Sequence, residues 1–165
     1  MNSNPETRGA SSSRTLIMGI VNVTPDSFFD GGEVSDAKTA LARAEQLLHD
    51  GADILDIGGE SSRPGAAPVP ADEEWKRVGP ALEAIRPLGR RVSIDTYHAE
   101  TARKAISRGA TIVNDISALR RDPEIAAVVA DAHCECVLMH MLGEPRTMQE
   151  APRYADVIDD LCGFF

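Results

Sequence analysis

The sequence predicts an α/β domain built on a parallel sheet, and three observations carry that expectation. Short apolar runs alternate with stretches of helical periodicity along the whole chain. Four of those runs end in a polar cluster: MGIVNVTPDSFFDGG (18–32), ILDIGGESSRPGA (54–66), VSIDTYH (92–98) and IVNDIS (112–117). Parallel α/β sheets and barrels bind ligands at the carboxyl ends of their strands, so four such clusters read as parts of one site.

The elements follow in order. Residues 1–13 are rich in Ser and Asn and predict a disordered tail; 14–165 predict one domain. Residues 14–22 predict a first strand buried on both faces, and 23–34 a long loop with Pro25 and Gly31-Gly32. Ser35-Asp36 reads as an N-cap region for a helix to about Asp50, with Ala37, Leu41, Ala44, Leu47 and Leu48 on its apolar stripe. Residues 52–57 predict the second strand and 58–70 another long loop. The helix at 71–85 is expected to be broken, or preceded by turns, near Gly79-Pro80. Strands at 91–94, 111–114 and 136–140 alternate with helices at 99–108 and 123–132. A fifth helix begins at Asp156. Five strands fit either a doubly wound open sheet or part of a (β/α)₈ barrel.

Composition narrows the function. A formal net charge of −9 argues against a general nucleic-acid or anionic-membrane surface. No apolar stretch reaches the roughly 20 residues of a membrane span, and the N-terminus lacks the apolar segment of a signal peptide. A cytoplasmic protein is the expectation. Cys134, Cys136 and Cys162 show no metal-type spacing and read as buried thiols. Neither GxGxxG after the first strand nor GxxxxGK[ST] occurs.

The polar clusters carry the chemistry. Asn22 ends a strand, and Thr24, Asp26, Ser27 and Asp30 follow; such amides and carboxylates suit a hard cation such as Mg²⁺, usually shared with phosphates. Phe28 and Phe29 should cover something when this loop closes. Gly58 and Gly59 would let backbone approach a ligand, Ser61, Ser62 and Arg63 suit phosphate or carboxylate oxygens, and Pro64 stiffens the turn. Asp56, inside its strand, must be paired or hydrogen-bonded. Asp95 and Asn114, at neighbouring strand ends, suit a flat heterocycle with alternating donors and acceptors; Asp95 or Thr96 could equally cap the next helix. Met139 would pack on a flat ring. His140 reads as polar lining or structural, and His98 as a surface residue.

Together MGIVNVTPDSFFDGG, GADILDIGGESSRPGA, VSIDTYHAETARKAISRGATIVNDISA and VLMHMLGEPRTMQ resemble the dihydropteroate synthase family, in its order and spacing, over about residues 17–149. The resemblance implies a (β/α)₈ TIM barrel, here only its first five βα units, that works as a homodimer. It implies condensation of 6-hydroxymethyl-7,8-dihydropterin diphosphate with 4-aminobenzoate, with sulfonamides as competitors. By the same resemblance Asn22 would help hold Mg²⁺ and the diphosphate, and Asp95, Asn114 and Met139 would bind the pterin. Asp26, Phe28 and Asp30, with Ser62, Arg63 and Pro64, would close over the substrates. Asp95, Asp30 and Arg63 would be the catalytic groups. Position 62, commonly Thr in the family, is Ser here and keeps the hydroxyl.

The family's later motifs are absent, and the C-terminal apolar pattern is still running at Phe165. The chain is therefore expected to be the N-terminal portion of a longer protein, with little synthase activity alone and exposed sheet edges that favour association. Two other readings fit parts of the pattern: a non-catalytic pterin-binding relative, and a pterin-binding methyltransferase domain, which shares the Asp95 and Asn114 positions.

Overall fold

A computed structural model describes residues 14–24, 32–61, 68–145 and 147–165, with the backbone alone for 32–36. Five strands form one sheet: β1 (Met18–Asn22), β2 (Ile54–Gly58), β3 (Arg91–Asp95), β4 (Ile112–Asp115) and β5 (Glu135–Leu138). Their order is sequential, and every neighbouring pair is parallel. The connecting helices are α1 (Gly32–His49), α2 (Ala71–Ile85), α3 (Ala99–Ser107) and α4 (Ile125–Ala132); α5 (Val157–Phe164) follows β5.

Strand alternation sorts the side chains onto two faces. Val21, Leu55, Ile57, Val92, Ile94 and Val113 form the core with residues of the covering helices, among them Ala44, Leu82 and Ala105. The register carries Ile20, Asp56 and Ser93 on the other face, with Asn22, Gly58, Asp95 and Asn114 one step nearer the carboxyl ends. The expectation that the first strand is buried on both faces is corrected here. Val21 is fully buried, but Ile20, on the face opposite the core, is 57% exposed among the described residues.

Several boundaries also differ. The first strand starts at Met18 rather than Arg14, and α1 starts at Gly32, ahead of Ser35-Asp36. α2 runs unbroken through Pro80. A proline in a helix interior costs about 3 kcal/mol; here Val78, Ala81, Leu82 and Ile85, buried on both sides of it, hold the helix together. Gly79 fits beneath Trp75, where a Cβ would stand 3.0 Å from the indole. The cysteines are not uniformly buried. Cys134 and Cys136 are half-buried, whereas Cys162, in α5, is exposed. The N-terminal tail at 1–13 lies outside the described residues.

Candidate functional site at the carboxyl ends of the strands

β2, β3 and β4 place three polar groups on the face opposite the core. Asp56 is 4% exposed, and its Oδ2 accepts from Asn114 Nδ2 at 3.0 Å. Asp56 Oδ1 and Ser93 Oγ are buried without a hydrogen-bond partner among the described residues. Such atoms are rare in folded proteins and mark places where a further polar group belongs.

Asp95 ends β3. Burial pushes its carboxyl up to about 7, and the charges of Asp56, Glu74, Asp115 and Glu60 push the same way. It does not cap α3. Thr96 Oγ1 accepts from His98 N at 3.0 Å, and Asp122, from beyond β4, accepts from Ala99 N at 2.8 Å. The Ala99 amide holds the Asp122 carboxyl below the usual range. Asp115 serves its own loop, accepting from Ser117 N at 2.6 Å and Leu119 N at 2.9 Å.

Gly58 and Gly59 have a packing role that the sequence did not reveal. A Cβ on Gly58 would meet Asp95 Oδ2 at 3.3 Å. One on Gly59 would meet Val78 Cγ1 at 2.8 Å and Glu74 Cγ at 3.2 Å. The two glycines make room for Asp95 and for α2.

Glu74 was not legible as a site residue. Its Oε2 accepts from Thr96 Oγ1 at 2.7 Å, and burial raises its carboxyl above the ordinary range. Its signal was positional: it occupies the apolar stripe of α2, four residues before Val78. Glu60, Tyr97 and Ile116 form the wall between the recess of Asp95 and Glu74 and a cleft of about 550 Å³. Ser61, Ser117 and Arg121 also line that cleft. His98 is half-buried rather than a surface residue. Its Nε2 donates to Val69 O at 2.9 Å, because α3 begins directly beneath the returning second loop.

Of the residues singled out in the sequence, the structure brings Asp95 and Asn114 together at one level of the sheet, with Asn22 two strands away on the same level. Met139 follows β5 and is half-buried; its amide donates to Asp115 O at 3.3 Å. His140 stacks edge-on with Phe164 at 4.6 Å. Asp26, Phe28, Asp30, Ser62, Arg63 and Pro64 lie outside the described residues. Asn22 is exposed at the rim, and its amide oxygen is a hard donor. Magnesium takes only one or two protein ligands when it shares phosphates, so this donor fits the ion although no group of three His, Cys, Asp or Glu occurs among the described residues. No helix among those residues is long and apolar enough to cross a membrane.

Residues 18–165 match the model of the family described as pterin binding enzyme. The chain belongs to that family. It is 48% identical, over 92% of its length and 53% of the relative's, to the dihydropteroate synthase of Synechocystis sp.. Among solved structures it is similar to Xanthomonas albilineans dihydropteroate synthase with 4-aminobenzoic acid, with a TM-score of 0.80, 45% identity and 92% and 53% of the two chains covered. It is similar also to the Yersinia pestis dihydropteroate synthase in a sulfonamide drug complex, with a TM-score of 0.82, 42% identity and 92% and 55% covered. The chain thus spans about half the length of the relatives it matches. The expected fold is borne out: the sheet and its helices are consecutive βα units of the barrel those enzymes form.

Proposed function

We propose that the protein to which this chain belongs is a dihydropteroate synthase, which joins 6-hydroxymethyl-7,8-dihydropterin diphosphate to 4-aminobenzoate and releases pyrophosphate. The observation that carries this is the adjacency of Asp95 and Asn114 at the strand ends, with the buried Asp56 Oδ1 and Ser93 Oγ one step below. A flat ring edge with alternating donors and acceptors would answer all four groups. The similarity to enzymes solved with 4-aminobenzoic acid and with a sulfonamide supports the second substrate.

In this reading Asp95 accepts ring N–H groups of the pterin. Its carboxyl lies near 7, so it carries substantial negative charge at neutral pH. As the C–O bond breaks, its electron pair leaves with the diphosphate, and the pterin methylene becomes cationic. Asp95 and Asp30 stabilise that charge. The arylamine nitrogen then forms the C–N bond and loses a proton to solvent. Arg63 neutralises the departing diphosphate. Asn22 would hold Mg²⁺, which when bound supplies further positive charge to the phosphates. Phe28, Asp26, Ser62 and Pro64 frame the aminobenzoate and limit water. A homodimeric assembly and a cytoplasmic location belong to the same reading and rest on the family resemblance.

The test is aminobenzoate incorporation. The 165-residue chain alone should give little turnover, since it spans about half the length of the synthases it matches. The reading frame that carries the chain should complement a strain lacking the synthase. Near-normal turnover by the chain alone would overturn the first expectation. Failure to complement, together with retained pterin binding, would favour a non-catalytic relative.

A further inference from the structure

Thr96, directly after Asp95, is buried and bonded in three directions. Its backbone N–H donates to Asn114 O at 3.0 Å. Its hydroxyl donates to Glu74 Oε2 at 2.7 Å, and the same oxygen accepts from His98 N at 3.0 Å. A hydroxyl has one proton to give, and here Glu74 takes it. Glu74 is itself held in place. Its amide donates to Pro70 O at 2.8 Å at the start of α2, and its side chain passes so close to Gly59 that a Cβ there would meet Cγ at 3.2 Å. The neighbouring acid Glu60 is committed elsewhere. Its Oε2 accepts from Val69 N at 2.7 Å and from Tyr97 Oη at 2.6 Å, with the Arg121 guanidinium over the Tyr97 ring at 4.1 Å.

A carboxyl group is costly to bury, yet Glu74 is 1% exposed, and its Oε1 has no hydrogen-bond partner among the described residues. Burial raises this carboxyl, which favours the protonated acid. The protonated acid still offers Thr96 a carbonyl oxygen. We propose that Glu74 is a positioning residue for the pair Asp95 and Asn114: through the Thr96 hydroxyl it pins the end of β3 to α2, while the Thr96 amide ties the same point to β4. Asp95 and Asn114 are register partners on those two strands, so one buried acid sets the spacing of both groups. Their meeting a pterin edge rests on the synthase reading above; the bonds from Glu74 through Thr96 to Asn114 do not. A misplacement of about 1 Å in a substrate-positioning group can cost on the order of 100-fold in rate.

The test uses the protein encoded by the full reading frame. Glu74→Leu removes the acceptor at similar volume, and Glu74→Gln keeps it. Thr96→Val removes the hydroxyl at nearly the same shape, and Thr96→Ser keeps it. Thr96→Val breaks the same bond from the other side, so the proposal stays open to refutation if Glu74→Leu does not fold. Hydrogen exchange at the residue-96 amide is the first readout, because it needs no turnover. Glu74→Leu and Thr96→Val should each speed it about tenfold, while the amides of Leu55 and Ile94 keep their protection. Glu74→Gln and Thr96→Ser should stay within about threefold of the wild type. The double variant Glu74→Leu/Thr96→Val should exchange no faster than the faster single variant, because both remove one bond. Unchanged exchange in Thr96→Val, or additive effects in the double variant, would overturn the proposal.

Steady-state kinetics give the second readout. Thr96→Val should raise the KM for the pterin diphosphate about tenfold and leave that for 4-aminobenzoate within about twofold, the signature of lost binding on one side. Glu74→Gln should restore most of what Glu74→Leu loses. Equal rises in both KM values, or a glutamine variant as impaired as the leucine one, would overturn the positioning role. A wild type that makes no dihydropteroate, yet shows the exchange contrast, would reject the synthase reading and leave the support of Asp95 and Asn114 by Glu74 standing.

Discussion

Asn114 reaches across the whole of β3 to donate its amide to Asp56 on β2, at 3.0 Å. The contact spans two strand spacings on the face of the sheet opposite the apolar core. Among the described residues it is the one hydrogen bond of the Asp56 carboxylate.

Removing the amide should therefore be costly. Asn114→Ala leaves a buried carboxylate with neither oxygen bonded, a loss of about 1–3 kcal/mol. Asp56→Asn still accepts from Asn114 and should lose less. Urea midpoints of the two variants and the wild type check the ranking. Equal midpoints for Asn114→Ala and the wild type would contradict it.

Asp95 predicts a pH dependence with a definite sign. Its carboxyl lies near 7 when folded and near the ordinary carboxylate value, about 4, when unfolded. Between those values the folded state holds more protons, so its stability falls as pH rises. Asp95→Asn removes this component. The melting temperature of the variant minus that of the wild type should climb from about pH 4 to about pH 7 and then level off, by several degrees in all. A difference that shrinks over this range would show that ionised Asp95 is stabilised rather than penalised by its neighbours.

Gly59 and Gly163 make a controlled pair. At Gly59 a methyl group meets Val78 at 2.8 Å and Glu74 at 3.2 Å, so Gly59→Ala should destabilise by about 1–3 kcal/mol. At Gly163, inside α5, a Cβ meets nothing within 4 Å. There alanine should be neutral or stabilising by roughly 0.5–1 kcal/mol through helix propensity. Chemical denaturation of both variants checks the contrast.

The uncovered face should make the isolated chain associate. Ile20 is 57% exposed and Val137 40% exposed, on the two strands at the edges of the sheet. Sedimentation should show concentration-dependent association of the 165-residue chain, reduced by Ile20→Lys, because charged residues protect open sheet edges. A monodisperse monomer across concentrations would contradict this.

The fold was largely legible because parallel strands announce themselves as short apolar runs, and Asn22, Gly58, Asp95 and Asn114, the described residues at the head of the four polar clusters, lie at strand ends. Asp95 and Asn114 were legible for the same reason. Glu60, Glu74, Tyr97 and Arg121 were not, because their roles depend on contacts between loops far apart in sequence. Tyr97 gains its partner Glu60 only when β2 and β3 lie side by side. The persistence of α2 through Pro80 was hidden for a related reason: burial by neighbouring elements outweighs a local breaker.

The sequential order of the strands bears on how the molecule comes into being. Among the five described strands each after the first pairs with its immediate predecessor, so each βα unit can dock on the one before it as soon as it is made. Asp56, Asp95 and Asn114 are thus brought together in the order of translation, with the last of them fixing the first. On a ribosome, the pairing of Asn114 with Asp56 would report that the fourth strand has arrived.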